Sequence, residues 1–503
     1  MIHARMTSSD DSKLSASLLT RLLTPRNLAV FVFLVLPLSL IFLVLAWWFA
    51  RQNAAAQELA DRKNDLLASG LPIDAESLLD YRMERIDSSR SREWERILDE
   101  IESDAFQESS EDVPIIGMAY EEEPEEYVYG QPYSNHLVAR NYLNEWSELL
   151  QRIHLITEGS RGVWTSMNAD DFFPRIGPPR DVSRLLRLEL EDALRRDDFS
   201  HAGHCVLALI GNARGLEEEP MAVSQLVSVA MLEVALDAIK TAVQIDCFDD
   251  EQWRAVLKQL EGLEEIEPRY RRYLIGERAW VLPLFEDPER LEELGGDAIE
   301  FQLPGGHSID ALETLAMYDR LELVPTDDLT TFFEEIESLE TSVQTSFQSR
   351  SWLQKLDSQV TEKTMPSVVS INQAFIRSPM QVRLAKTAIL ARLFQHKEGR
   401  WPNTIQEIHD AAPSLLNDRD ESVNLKIGNL APMGDRPFGL KVDPDELVLW
   451  GFEPVASASA TPEEPPTEQD FIEGDWEYEL VRTGAYLQRW LWILPTDGVA
   501  ESN

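Results

Sequence analysis

The sequence predicts a mainly α-helical protein: an N-terminal transmembrane helix, a helical-bundle domain, and a small α+β C-terminal module with a β-hairpin. Three observations predict it. Leu28 to Ala50 is an uncharged apolar run. From Asn135 to about Gln359 apolar residues recur at helical spacing, interrupted at Gly and Pro. Near the C-terminus two short apolar runs flank Asp443-Pro444-Asp445, a turn sequence.

The apolar run, as a helix rising about 1.5 Å per residue, reaches roughly 34 Å, enough for a hydrocarbon core of about 30 Å. Trp47 and Trp48 stand at one interface, Arg26 and Arg51 bracket the run, and Pro37 is tolerated inside a spanning helix. A cleaved signal peptide would have an apolar region of only about 7 to 15 residues, so an uncleaved, single-pass signal anchor is expected. Lys13, Arg21 and Arg26 before the run balance Arg51, Arg62 and Lys63 after it. Because long following domains cross largely regardless of charge, the bulk is placed outside the cytoplasm, on the periplasmic side of an inner membrane.

With 503 residues, 44% of them hydrophobic, the chain is long and apolar enough for two or three folded units beyond the anchor. Its 89 acidic and 46 basic residues give a net charge of -43. Such a field repels phosphate backbones and excludes nucleic acid as a natural partner. A solvated acidic surface is the ordinary meaning of that charge, with basic proteins or divalent cations as its electrostatic partners.

Residues 1–27 are a short tail, 28–50 the transmembrane helix, 51–107 a helical stalk, and 108–134 an acidic linker. Residues 135–365 form an all-helical domain and 366–503 the α+β module, with a flexible insertion at 455–470. The stalk shows Trp94, Ile97, Leu98 and Ile101 at helical spacing, and the acidic stretch from Glu108 to Glu126 lacks the pattern of a calcium-binding EF-hand. In the helical domain one helix is expected from Asp181, a second over His201–Arg214, and a third over Met221–Ile245. The third is apolar almost all round, yet Glu233, Asp237 and Lys240 argue for a bundle core rather than a second span. Helices follow near Trp253–Leu263, Tyr270–Leu282, Ile309–Leu323 and Leu329–Phe347, with Ser308 as a cap. In the last module a helix from about Gln381 to Lys397 leads through Gly399-Arg400-Trp401-Pro402 to a short helix near Thr404–His409. Strands are expected at Phe438–Val442, Glu446–Phe452, Tyr478–Arg482 and Trp490–Leu494.

These C-terminal motifs carry a resemblance. LAKTAILARLFQHKEGRWPNTIQEIHDAAPSLL, followed by DRPFGLKV and ELVLWGFEP, resembles the closing module of uncharacterised membrane-anchored proteins abundant in planctomycete-type bacteria. Gly399 to Pro402 match that family's first turn, Asp435, Pro437 and Phe438 its second, and Trp490 to Pro495 its last strand. The resemblance implies architecture and carries no catalytic residue. The same module is similar to the globular end of type II secretion pseudopilins, although Thr24-Pro25-Arg26-Asn27 stands where those proteins carry a peptidase site.

His201, His204 and Cys205 are the candidate metal ligands, with no fourth ligand in view, set against the ordinary reading of packing residues at a helix start. Cys205 and Cys247 are a candidate disulfide, because a helix starting near His201 and one ending near Ile245 are neighbours in an antiparallel hairpin. Gly-x-Ser-x-Gly, His-Glu-x-x-His and Cys-x-x-Cys are absent, and no carboxylate pair stands out, so neither catalytic residues nor a cofactor are assigned. Trp476, Trp490 and Trp492 read as strand packing. The expected function is a membrane-tethered, non-enzymatic scaffold or binding protein of the cell envelope whose partners are envelope proteins. An envelope enzyme using scattered carboxylates and histidines, or a secretion-apparatus component, is the alternative.

Overall fold

The apolar run near the N-terminus gives way to polar sequence at Arg51, and the chain stays helical through the change. The computed structural model describes residues 36–85, 87–117, 129, 135–158, 175–286, 307–350, 359–416, 438–451 and 491–496, and places helix α1 over Leu36–Ala68. Its first half is exposed and apolar, with Leu38, Phe42 and Val44 facing outward. Its second half is amphipathic. Gln52, Ala55 and Leu59 turn inward, and Leu59 packs with Ile73, Leu282, Phe285, Ala311 and Leu315 in a small core. Arg62 pairs with Asp319 and Lys63 with Glu286.

The segment expected to be a stalk is built into the body instead. It continues as α2 (Ala75–Met83), α3 (Ser88–Ile101) and α4 (Asp104–Ser110), capped by Asp74, Asp87 and Ser103, whose side-chain oxygens accept from free first-turn N–H groups. Trp94, Ile97, Leu98 and Ile101 are buried in the main core. A lone helix could not satisfy that apolar stripe, so the spacing marks a packed face rather than a projecting rod. Val113 and Ile116, within the expected acidic linker, are buried too. Arg82 of α2 forms a buried ion pair with Glu219.

The central helices are α5 (His136–Glu145), α6 (Ser147–Thr157), α7 (Gly177–Arg195), α8 (Phe199–Arg214), α9 (Ala222–Ile245), α10 (Asp250–Gln259), α11 (Glu267–Val281), α12 (Ser308–Glu322) and α13 (Leu329–Ser349). A 3₁₀ turn, Leu282–Phe285, follows α11. Helix α7 begins before the expected Asp181, because Pro178 and Pro179 suit a first turn that needs no internal N–H donors. Ser308 opens α12 rather than capping it. Among the described residues two helices, α1 and α9, are long and apolar enough to cross a membrane, but α9 is 67% buried in its most apolar window and forms the bundle core.

Helix α14 (Gln359–Glu398) runs 40 residues, starting more than twenty before the expected position and passing through the expected boundary at 365/366. Pro379 lies inside it and is buried; a proline there removes one ladder hydrogen bond, yet the helix continues through it, with Phe375, Ile376, Met380 and Val382 buried in the main core. One core cluster runs from Trp94 to Leu494, so both expected domains share an interior.

Gly399, at φ +67, ends α14 in the left-handed region, and Trp401 is buried before α15 (Ile405–Leu415), which Thr404 caps. The sheet is antiparallel in the order β1 (Gly439–Val442), β2 (Glu446–Trp450), β3 (Leu491–Pro495). Gly439 pairs with Trp450, and Val448 with Ile493. A Cβ on Gly439 would lie 1.9 Å from Cε2 of Trp450, so the hairpin closes only over glycine. The sheet packs against α9 and α14. Fully buried Arg392 fastens this corner, donating to the carbonyls of Val243 (2.8 Å) and Pro495 (3.0 Å) with its guanidinium 4.7 Å from the Trp401 ring centroid. Residues 1–27, the start of the apolar run at 28–35, residues 118–126 of the acidic stretch, Asp435, Pro437, the 455–470 insertion, Trp476, Tyr478 to Arg482 and Trp490 lie outside the described residues.

Candidate functional site

Helix α7 packs through Val182, Leu185, Leu186, Glu189 and Ala193, a stripe at offsets of three and four residues in which one member is a carboxylate. Helix α6 packs through Leu150, Ile153 and Thr157, with His154 beside them. On α8, His201 and Cys205 are four residues apart and share a face. The three helices bring these groups together. Nε2 of His154 lies 2.7 Å from one Glu189 carboxylate oxygen, and Nε2 of His201 lies 2.9 Å from the other. The imidazole centroids are 5.8 Å apart. Ligand atoms of His154, Glu189, His201 and Cys205 all fall within 4.8 Å of one another. Gly211 allows this convergence, since a Cβ there would stand 2.3 Å from the Thr157 carbonyl oxygen and lift α6 off α8.

Burial opposes ionisation of Glu189, but hydrogen bonds from His154 and His201 outweigh it and hold the carboxyl down at about 2. The same contact with Glu189 raises His201 against the effect of burial. Burial, reinforced by the Glu189 charge, pushes the Cys205 thiol well up. The result is a fixed carboxylate between two imidazoles, with a protonated thiol beside it. Cys205 is fully buried, whereas the His201 side chain is 34% exposed and opens the cluster to one side.

Of the three candidate ligands, the structure brings His201 and Cys205 together and leaves His204 apart. His204 is exposed: at about 100° per residue it is rotated well away from the face that Cys205 presents to α7. His154 and Glu189 stand beside His201 and Cys205. No known protein family, curated protein or solved structure matches this chain. The bridge expected between Cys205 and Cys247 is not formed; both are buried free thiols. Cys205 turns toward Glu189, while the Cys247 thiol points to the Ala242 carbonyl at 3.7 Å, beyond the left-handed Asp246 that ends α9. The missed residues did leave a signal, a glutamate and a histidine each set in or beside an otherwise apolar helical stripe.

Chemically, the cluster offers two imidazole nitrogens, a carboxylate and a sulfur, all of them groups that coordinate borderline transition metals. A second constellation, His396 held between Asp250 (2.8 Å) and Asp246 (2.9 Å), has no sulfur and belongs to the junction of α14 with α9 and α10. There both ring nitrogens face carboxylates, which raises the imidazole and favours the doubly protonated ring.

Proposed function

We propose that this chain is a membrane-tethered, non-enzymatic scaffold or binding component of the cell envelope, with its acidic body on the periplasmic side of the inner membrane. Helix α1 carries the proposal: an exposed apolar stretch passes without a break into residues packed on the body. A soluble protein has little use for a row of leucines and phenylalanines left in water, whereas a bilayer supplies the missing partner. Arg51, whose guanidinium stands 5.7 Å from the Trp47 ring centroid, supplies the charged and aromatic boundary of an interface. The turn at Gly399, helix α15 and the β1–β2 hairpin occur in the order of the closing module of the planctomycete-type membrane-anchored proteins, which supports the same assignment.

The test is fractionation followed by protease treatment of cells making the full chain. The proposal expects the protein to stay in membranes washed with alkaline carbonate and to leave them only in detergent. With the outer envelope permeabilised, protease should remove the region after Ala50 and spare the N-terminal tail. Release by carbonate would refute anchoring, and protection until the inner membrane is lysed would refute the assigned side.

A further inference from the structure

We propose that His154, Glu189, His201 and Cys205 form a binding site for a single zinc-class transition-metal ion that pins α6, α7 and α8 together. The inference goes beyond the scaffold assignment and does not depend on which side of a membrane the body occupies.

Three observations carry it. The first is the donor set. A buried carboxylate is ordinarily satisfied by arginine or lysine, as Glu219 is by Arg82 and Glu264 by Lys386. Glu189 is satisfied instead by two imidazoles with a thiol alongside, so every side chain in the cluster is a metal-coordinating type. The second is geometry. Tetrahedral bonds of about 2.0 to 2.3 Å place ligand atoms roughly 3.3 to 3.8 Å apart. With one Glu189 oxygen as ligand, the 2.7 Å separation from His154 must open by about half an ångström, and the longest separation, up to 4.8 Å, must close by about one. Side-chain rotation alone covers shifts of that size. The third is charge. A divalent cation bound to one carboxylate and one thiolate is neutral, which suits a site where the thiol is fully buried. The protein's net charge of -43 also draws cations toward it.

Binding replaces hydrogen bonds by metal bonds. The thiol of Cys205 loses its proton to solvent as the sulfur–metal bond forms, and any proton on a coordinating nitrogen of His154 or His201 leaves likewise; no electron is transferred. Four protein donors are the ligand count of a closed structural site, whereas a catalytic zinc keeps one position for water.

Cobalt(II) reports the site directly, because it replaces zinc and absorbs light. Full-length protein in detergent, stripped with chelator, should take up one cobalt per chain with a thiolate-to-cobalt charge-transfer band in the near ultraviolet and intense visible bands of four-coordinate cobalt. Zinc should bleach both and raise the melting temperature. Cys205→Ser should abolish the charge-transfer band, and His201→Ala and Glu189→Gln should each weaken binding by at least about tenfold, the loss seen even for partners outside the ligand shell. His204→Ala should change nothing. Circular dichroism of each metal-free variant shows whether it is folded. Folded wild-type protein that takes up no cobalt, or whose cobalt spectrum survives Cys205→Ser, would overturn the proposal and leave the cluster a metal-free polar network.

Discussion

Glu277 on α11 is a buried carboxyl that accepts from the Ala222 N–H, 3.0 Å away at the first residue of α9. Gly276 lets α11 press onto the loop before α9: a Cβ there would lie 2.0 Å from the Pro220 carbonyl oxygen. Burial pushes the carboxyl from 4.5 up to about 7, against the smaller downward pull of the Ala222 hydrogen bond. The folded value is raised, so stability is unaffected below about pH 4.5, where both folded and unfolded chains hold the proton. It falls as pH rises to 7, where the unfolded chain has ionised and the folded one has not. Above 7 the cost levels off at the value of the whole shift, about 3 kcal/mol at 1.36 kcal/mol per unit. Glu277→Gln keeps the acceptor for Ala222 and removes the charge. In urea unfolding of the full chain in detergent, the variant should match wild type near pH 4.5 and exceed it by about 3 kcal/mol near pH 8. A stability difference independent of pH would refute the assignment of a buried, late-ionising carboxyl.

Arg392→Met should lower stability by about 3 to 5 kcal/mol in the same assay, since it strips the hydrogen bonds to Val243 and Pro495 and leaves Asp246 without that neighbour. Faster hydrogen exchange should then appear in β3. Gly211→Ala should cost about 1 to 3 kcal/mol by driving α6 and α8 apart, and because α6 carries His154 it should also weaken cobalt binding. Intact mass should be identical before and after reduction, and a thiol reagent should label neither Cys205 nor Cys247 until denaturant is added.

Much of the helical architecture was legible because its punctuation is local. Asp443 to Asp445 turn the hairpin, and Met221–Ile245, read as a core helix from its internal charges, is mostly buried in the bundle. The length of α14 was not legible, because a proline such as Pro379 reads as a boundary until tertiary packing is known. Nor was the docking of 51–107, since an amphipathic stripe reveals that a partner exists without saying which. At the candidate site, His201 and Cys205 were found because they share one helix. His154 and Glu189 come from two others, and the approach of α6 to α8 depends on their close contact at Gly211, which no local pattern encodes.

The unbroken course of α1 has a mechanical consequence. Its two halves share one axis, so under the proposed anchoring the body has no swivel at the bilayer surface. A spanning helix typically leans by about 20°, and a point about 60 Å out along a rigid body would then be displaced sideways by roughly 20 Å. Bilayer thickness, by setting that lean, becomes a control on where the far face of the protein points and how far from its base it can reach.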